Sequence, residues 1–144
     1  MNKESDNLVQ EAKQASESGN LGVWLLGLLK KTEANNTDLI NLIAKKKDEL
    51  RGPELIPLKE IKRTFGPEKN MLHRESQSEF NRRVAKIQKA IVAGFQPAPL
   101  LIEKSSQGLV LLDGNHTFEA LKVNHTEYWA IYYSGNDITK LGEF

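Results

Sequence analysis

The chain of 144 residues contains no cysteine. That absence excludes disulfides, zinc–thiolate sites and any thiol nucleophile, and it fits a reducing compartment. Long apolar runs are missing as well. The longest, Leu21 to Leu29 (LGVWLLGLL), has nine residues, two of them glycine, whereas spanning a bilayer takes about 20. The first residues, MNKESDN, lack the basic-then-apolar layout of a signal peptide. A cytoplasmic protein without a membrane partner is therefore expected. Neither sign of charge dominates: the net is +1, so no global field draws the chain to nucleic acid. There is no GxGxxG and no regular βα alternation, which excludes a Rossmann reading, and no internal repeat or low-complexity segment is present.

The near-neutral total hides an uneven distribution. Residues 56–91 hold 9 basic and 4 acidic groups, against 8 and 9 in residues 1–55 and 3 and 6 in residues 92–144. The middle third is thus basic, through Arg74, Arg82, Arg83, Lys86 and Lys89 among others. Such groups suit phosphate or a nucleic-acid backbone, which require charge more than shape. A solvated helix face is the plainer account. No aromatic residues are interleaved with them as a stacking platform for single strands.

The first fifty residues read as helical. Leu8, Val9, Ala12 and Ala15 recur at helical spacing until Gly19-Asn20. Val23 to Lys31 is a short apolar helix, and a third starts after Asn35-Asn36-Thr37 with Leu39, Ile40 and Ile43 on one face, ending at Gly52-Pro53. From Glu54 the texture changes. LIPLKEI (Leu55 to Ile61) reads as a strand and Lys62 to Asn70 as a loop. Ser76 to Ala93 is the clearest helix, with Ser76 and Glu79 in capping-box spacing and Phe80, Val84, Ile87 and Ile91 on one face. Strands follow at PLLIEK (Pro99 to Lys104) and GLVLLD (Gly108 to Asp113), then a helix from His116 to Val123, the strand YWAIYY (Tyr128 to Tyr133) and a last helical turn at Asp137 to Gly142. Alternation sets Tyr128 and Tyr132 on one strand face and Trp129 and Tyr133 on the other, as core residues. The expected class is α+β with a mixed sheet, preceded by a helical segment.

The most telling stretch is Gly108 to Leu121, GLVLLDGNHTFEAL. A buried strand passes through Asp113-Gly114-Asn115-His116-Thr117 straight into a helix, which aims backbone N–H groups and a helix dipole at one spot and suits an anion. Together with the strand IPLKEI and the ordered set FNRRVAKIQKAIVAG…PAPLLIEK, this stretch resembles the ParB/sulfiredoxin superfamily. The resemblance covers about residues 54–134, implying a helical segment at 1–52 and a ParB/sulfiredoxin-like domain at 53–144.

That resemblance implies a nucleotide, ATP or CTP with Mg²⁺, whose phosphates lie on the DGNHT loop, for phosphoryl transfer or hydrolysis. Gly114, Asn115, His116 and Thr117 would hold phosphate, with His116 also in the catalytic set. Asp113 would hold the metal or cap the helix, and Glu68 or Glu60 would act as base. Two departures narrow the list. Asn115 stands where sulfiredoxins carry cysteine, so their chemistry is excluded. Thr117 stands where many relatives carry arginine, removing about 1–3 kcal/mol of charge-assisted bonding. No helix-turn-helix follows, so a complete partition clamp is not expected. The alternatives are a DNA-binding or nuclease accessory protein of plasmid, phage or partition type, and a degenerate interaction module self-associating through residues 1–52. His73 and His125 show no ligand spacing for a transition metal.

Overall fold

The computed structural model describes residues 8–66, 73–74, 76–106 and 108–135. Within them the chain is α+β, with five α-helices and a five-stranded mixed sheet. Helices α1 (Leu8–Glu17), α2 (Leu21–Thr32) and α3 (Thr37–Lys46) come first. Asn36 caps α3, its side chain accepting from Leu39 N–H at 3.2 Å. Strand β1 (Arg51–Pro57) and a 3₁₀ turn (Leu58–Glu60) lead to the two-residue β2 (Ile61–Lys62). The short pair β3 (Phe65–Gly66) and β4 (His73–Arg74) precedes α4 (Gln77–Val92), and β5 (Leu100–Ser105), β6 (Gly108–Asp113), α5 (Asn115–Leu121) and β7 (Glu127–Ser134) complete the order.

The sheet runs β1-β7-β5-β6-β2. β1 and β7 pair antiparallel, β7 and β5 parallel, β5 and β6 antiparallel, β6 and β2 parallel. The two edge strands are therefore joined by only the three residues of the 3₁₀ turn, which rises about 2 Å per residue. Four flat strand spacings would span roughly 19 Å. The sheet must curl so that its two edges approach at that end. Leu58 N–H donating to Thr126 O at 2.9 Å holds the turn in place.

Two apolar clusters lie on the two faces, as the period-2 alternation of the strands requires. Leu100, Ile102, Leu111, Tyr128 and Ala130 pack with Ile91 of α4 and Phe118 and Leu121 of α5. The intervening Leu101, Ile131 and Tyr133 pack with Leu21, Leu25 and Leu29 of α2 and Leu39 and Ile43 of α3. Helix α1 touches both, giving Val9 to the first cluster and Ala12 to the second. The N-terminal helices thus form one layer against the sheet. Trp129 departs from simple alternation: it packs against the first cluster, with Lys13 Nζ 3.8 Å above its ring.

Three sequence readings are corrected here. Gly52-Pro53 does not end the third helix, which stops at Lys46 and continues as a 3₁₀ turn over Lys47–Glu49. Gly52 instead sits in β1 with φ +104°, where pairing with β7 shifts register, and a Cβ there would lie 2.6 Å from Ala130 O. Only glycine fits such a bulge. The run Leu55 to Ile61 is not one strand, because the 3₁₀ turn divides it between opposite edges of the sheet. The helix after the DGNHT loop starts at Asn115 and ends at Leu121, not Val123. The reading of Asp137 to Gly142 lies outside the described residues.

Candidate functional site

Strand β6 delivers Asp113 to the end of the sheet, and Gly114 turns the chain into α5. Gly114 is in the left-handed region (φ 98°, ψ 26°), where a Cβ would meet Leu100 Cδ2 at 3.0 Å. Glycine makes this tight strand-to-helix turn without the strain that an L side chain would bring. Phe118 N–H donates to Gly114 O at 2.7 Å, closing the first turn of α5. By helix geometry, the N–H groups of that turn have no partner within the helix.

The loop is strapped from below by Thr64. Its N–H donates to Asn115 Oδ1 at 3.1 Å and its hydroxyl to Leu111 O at 2.7 Å. Asn115 is buried, with 8% of its surface exposed, and its side-chain oxygen is committed to Thr64. An anion would therefore meet Asn115 through N–H groups, of its side-chain amide or its backbone, and not through that oxygen. Beside it, the His116 ring lies 5.1 Å from that of Phe80, at 41°. Arg63 Cζ sits over the Phe80 ring, 4.8 Å from its centroid, and its Nε pairs with Glu119 Oε2 at 3.0 Å.

A cleft of about 940 Å³ opens at this loop. Asp113, Gly114, Asn115, His116 and Thr117 all line it, as do Thr64 and Arg83. Leu25, Leu28 and Leu29 of α2 and Leu101 and Leu112 of the sheet give it an aliphatic lining. A pocket with aliphatic walls and a few convergent polar groups is the usual form of a small-molecule site. Its charged lining is mostly acidic: Glu33, Asp38, Glu103 and Asp113 against Arg83.

Asp113 is the perturbed group of this cleft. Burial, then the nearby Glu33 carboxyl and a hydrogen bond with it, raise its pKa from 3.8 to about 7, while the Gly114 N–H works the other way. Glu33 is the residue that ends α2, eighty positions away in sequence. Two carboxyls in hydrogen-bond contact favour holding a proton or a cation between them, because like charges at that range repel.

On α4, Ser76 caps the helix by accepting from Glu79 N–H at 3.2 Å. The Glu79 carboxylate takes Arg82 Nε at 3.1 Å, also the Arg82 terminal amino group, and Arg83 Nε at 3.0 Å. These guanidiniums, Arg82 first, hold the Glu79 carboxyl down to about 2. Arg82, Arg83, Lys86 and Lys89 are all exposed. Of these four, Arg83 lines the cleft.

No protein-family model matches this chain, and no curated protein matches it in sequence.

The structure brings together Asp113, Gly114, Asn115, His116, Thr117 and Arg83. Glu60 stands apart, exposed on the 3₁₀ turn and outside the cleft lining. Glu68 lies outside the described residues, and of Arg74 only its backbone pairing with Gly66 is described. Sequence reasoning missed Glu33 and Thr64. Glu33 reads there as an ordinary polar residue after an apolar helix, and Thr64 as one residue of a polar loop, so neither carries a local signal. Among the described residues no helix is long and apolar enough to cross a membrane.

Proposed function

We propose that this chain is a ParB/sulfiredoxin-like domain that binds a nucleoside triphosphate, ATP or CTP, with Mg²⁺ in the cleft at the DGNHT loop, and transfers or hydrolyses its phosphate. The observation that carries this reading is that Asp113, Gly114, His116 and Thr117 line one cleft with the guanidinium-bearing Arg83. The backbone at Gly114, bare of a Cβ, admits a phosphate closely. Positioning and charge neutralisation would supply most of the rate.

The donor set fits the metal. Mg²⁺ is commonly held by one or two carboxylates together with substrate phosphates, and Glu33 and Asp113 present such a pair in hydrogen-bond contact. When bound, the ion would neutralise phosphate charge. Among the described residues there is no group of three or more His, Cys, Asp or Glu able to hold a metal, so the phosphates must complete the shell. Carboxylates outnumber guanidiniums on the cleft wall, so free polyphosphate meets repulsion that its magnesium complex largely escapes. Magnesium dependence is therefore a strict consequence of this reading.

Calorimetric titration with ATP and with CTP, each with and without Mg²⁺, tests it. One nucleotide should bind only with magnesium, and Gly114→Val should weaken it by about tenfold or more, some 1.4 kcal/mol. Thr117→Glu serves the same purpose should Gly114→Val fail to fold. No heat at millimolar nucleotide overturns the reading. Unchanged binding in a folded Gly114→Val protein moves the site elsewhere.

A further inference from the structure

Resting on the nucleotide reading, we infer that Arg83 is the side chain that grips the polyphosphate and that Glu79 is the positioning residue that aims it. The cleft lining carries four carboxylates, on Glu33, Asp38, Glu103 and Asp113, and among its described residues the one permanently charged cation is Arg83. A magnesium–triphosphate complex remains an anion. An anion seated among carboxylates needs a fixed positive group, and a guanidinium meets phosphate with a planar fork of donors.

Arg83 reaches the cleft from α4 and not from the loop, and lines it together with Gly114, His116 and Thr117. Half of its side chain is exposed (51%). A long, half-exposed side chain surrenders rotamer freedom when it binds a ligand, which lowers affinity. The Glu79 carboxylate offsets this by engaging Arg83 through Nε at 3.0 Å before any ligand arrives. Glu79 is in turn fixed by its place in the first turn of α4, where its N–H donates to the capping Ser76 hydroxyl. The neighbouring Arg82 shares the same carboxylate but does not line the cleft. Two adjacent arginines with one common anchor thus differ in which surface they serve, and Arg82 is a built-in control.

The experiment titrates ATP, CTP and inorganic pyrophosphate, each with Mg²⁺, into the full chain and into Arg83→Met, Arg82→Met and Glu79→Gln. Pyrophosphate reports phosphate contact without a base. Arg83→Met should weaken the nucleotide and pyrophosphate by about ten- to a hundredfold, the range for a hydrogen bond to a charged group. Arg82→Met should change them by less than about twofold, like other exposed ion pairs. Glu79→Gln should fall between the two, with thermal stability close to that of the parent, because Gln keeps the backbone cap. Equal losses in both arginine variants would mean diffuse charge and would overturn the contact. Arg83→Met binding like a binding-competent parent would overturn it while leaving the nucleotide reading intact. Glu79→Gln binding like the parent would remove its positioning role. A parent that binds no probe removes this inference and the nucleotide reading together.

Discussion

Replacing Asp113 with asparagine should flatten the pH dependence of stability. In the parent, burial and the Glu33 carboxyl raise the Asp113 pKa from 3.8 to about 7. Between those pH values the native protein holds a proton that the unfolded chain has given up, so stability falls as pH rises. The contribution is complete below about pH 4 and gone above about pH 7. At about 1.4 kcal/mol per pKa unit the ceiling is roughly 4 kcal/mol. Asp113 borders an open cleft, and Glu33 ends a helix from which it can turn to water, so we expect about 1–2 kcal/mol of that ceiling. Asparagine keeps the shape, still donates toward Glu33 and does not ionise. Urea denaturation at pH 4.5 and at pH 8 measures the effect. The variant should match the parent at the lower pH and exceed its stability by about 1–2 kcal/mol at the higher. Parallel pH profiles for the two proteins would show that Asp113 is ionised throughout, and the argument for a proton shared with Glu33 would fall.

Asn115→Ala removes the acceptor of Thr64 N–H from a buried position, and should cost about 1–3 kcal/mol in chemical denaturation. Deleting residues 1–46 removes α1 to α3 and uncovers Leu101, Ile131 and Tyr133. We expect loss of cooperative thermal unfolding and binding of a hydrophobic dye, where a separable interaction segment would leave a folded remainder.

Much of this fold is written locally. Helix α4 carries its own start signal in Ser76 and Glu79 and its own face in Phe80 and Ile91, and the structure has it at Gln77–Val92. Strands β5, β6 and β7 are legible because each is a short apolar run between turn residues. β2 is not legible: it is two residues long and owes its existence to parallel pairing with Leu109 and Val110, nearly fifty residues later. Gly52-Pro53 misleads for a related reason. Next to a helical run it reads as a stop, and only the approach of Ala130 from β7 gives it another purpose. At the site, the DGNHT loop is visible as a strand-to-helix turn with glycine at its bend. The burial of Asn115 and the meeting of Glu33 with Asp113 depend on tertiary packing, which no spacing within one element encodes.

The position of β7 has a consequence for how the chain acquires its structure. This strand is the last of those described, yet it lies between β1 and β5, pairing with one antiparallel and with the other parallel. During synthesis, β1 and β5 emerge with the slot between them unfilled. Among the described strands β1 pairs with β7 alone, and its partners there are seventy or more residues away. Loop-closure entropy over such separations is met before the contacts that offset it, which makes folding slow compared with helical bundles of similar size. Helices α1 to α3 must wait as well, because Ile131 and Tyr133 complete the surface they cover. Until β7 inserts, two strand edges and a leucine-rich helical layer stay open together, and that interval is when the protein is most exposed to aggregation.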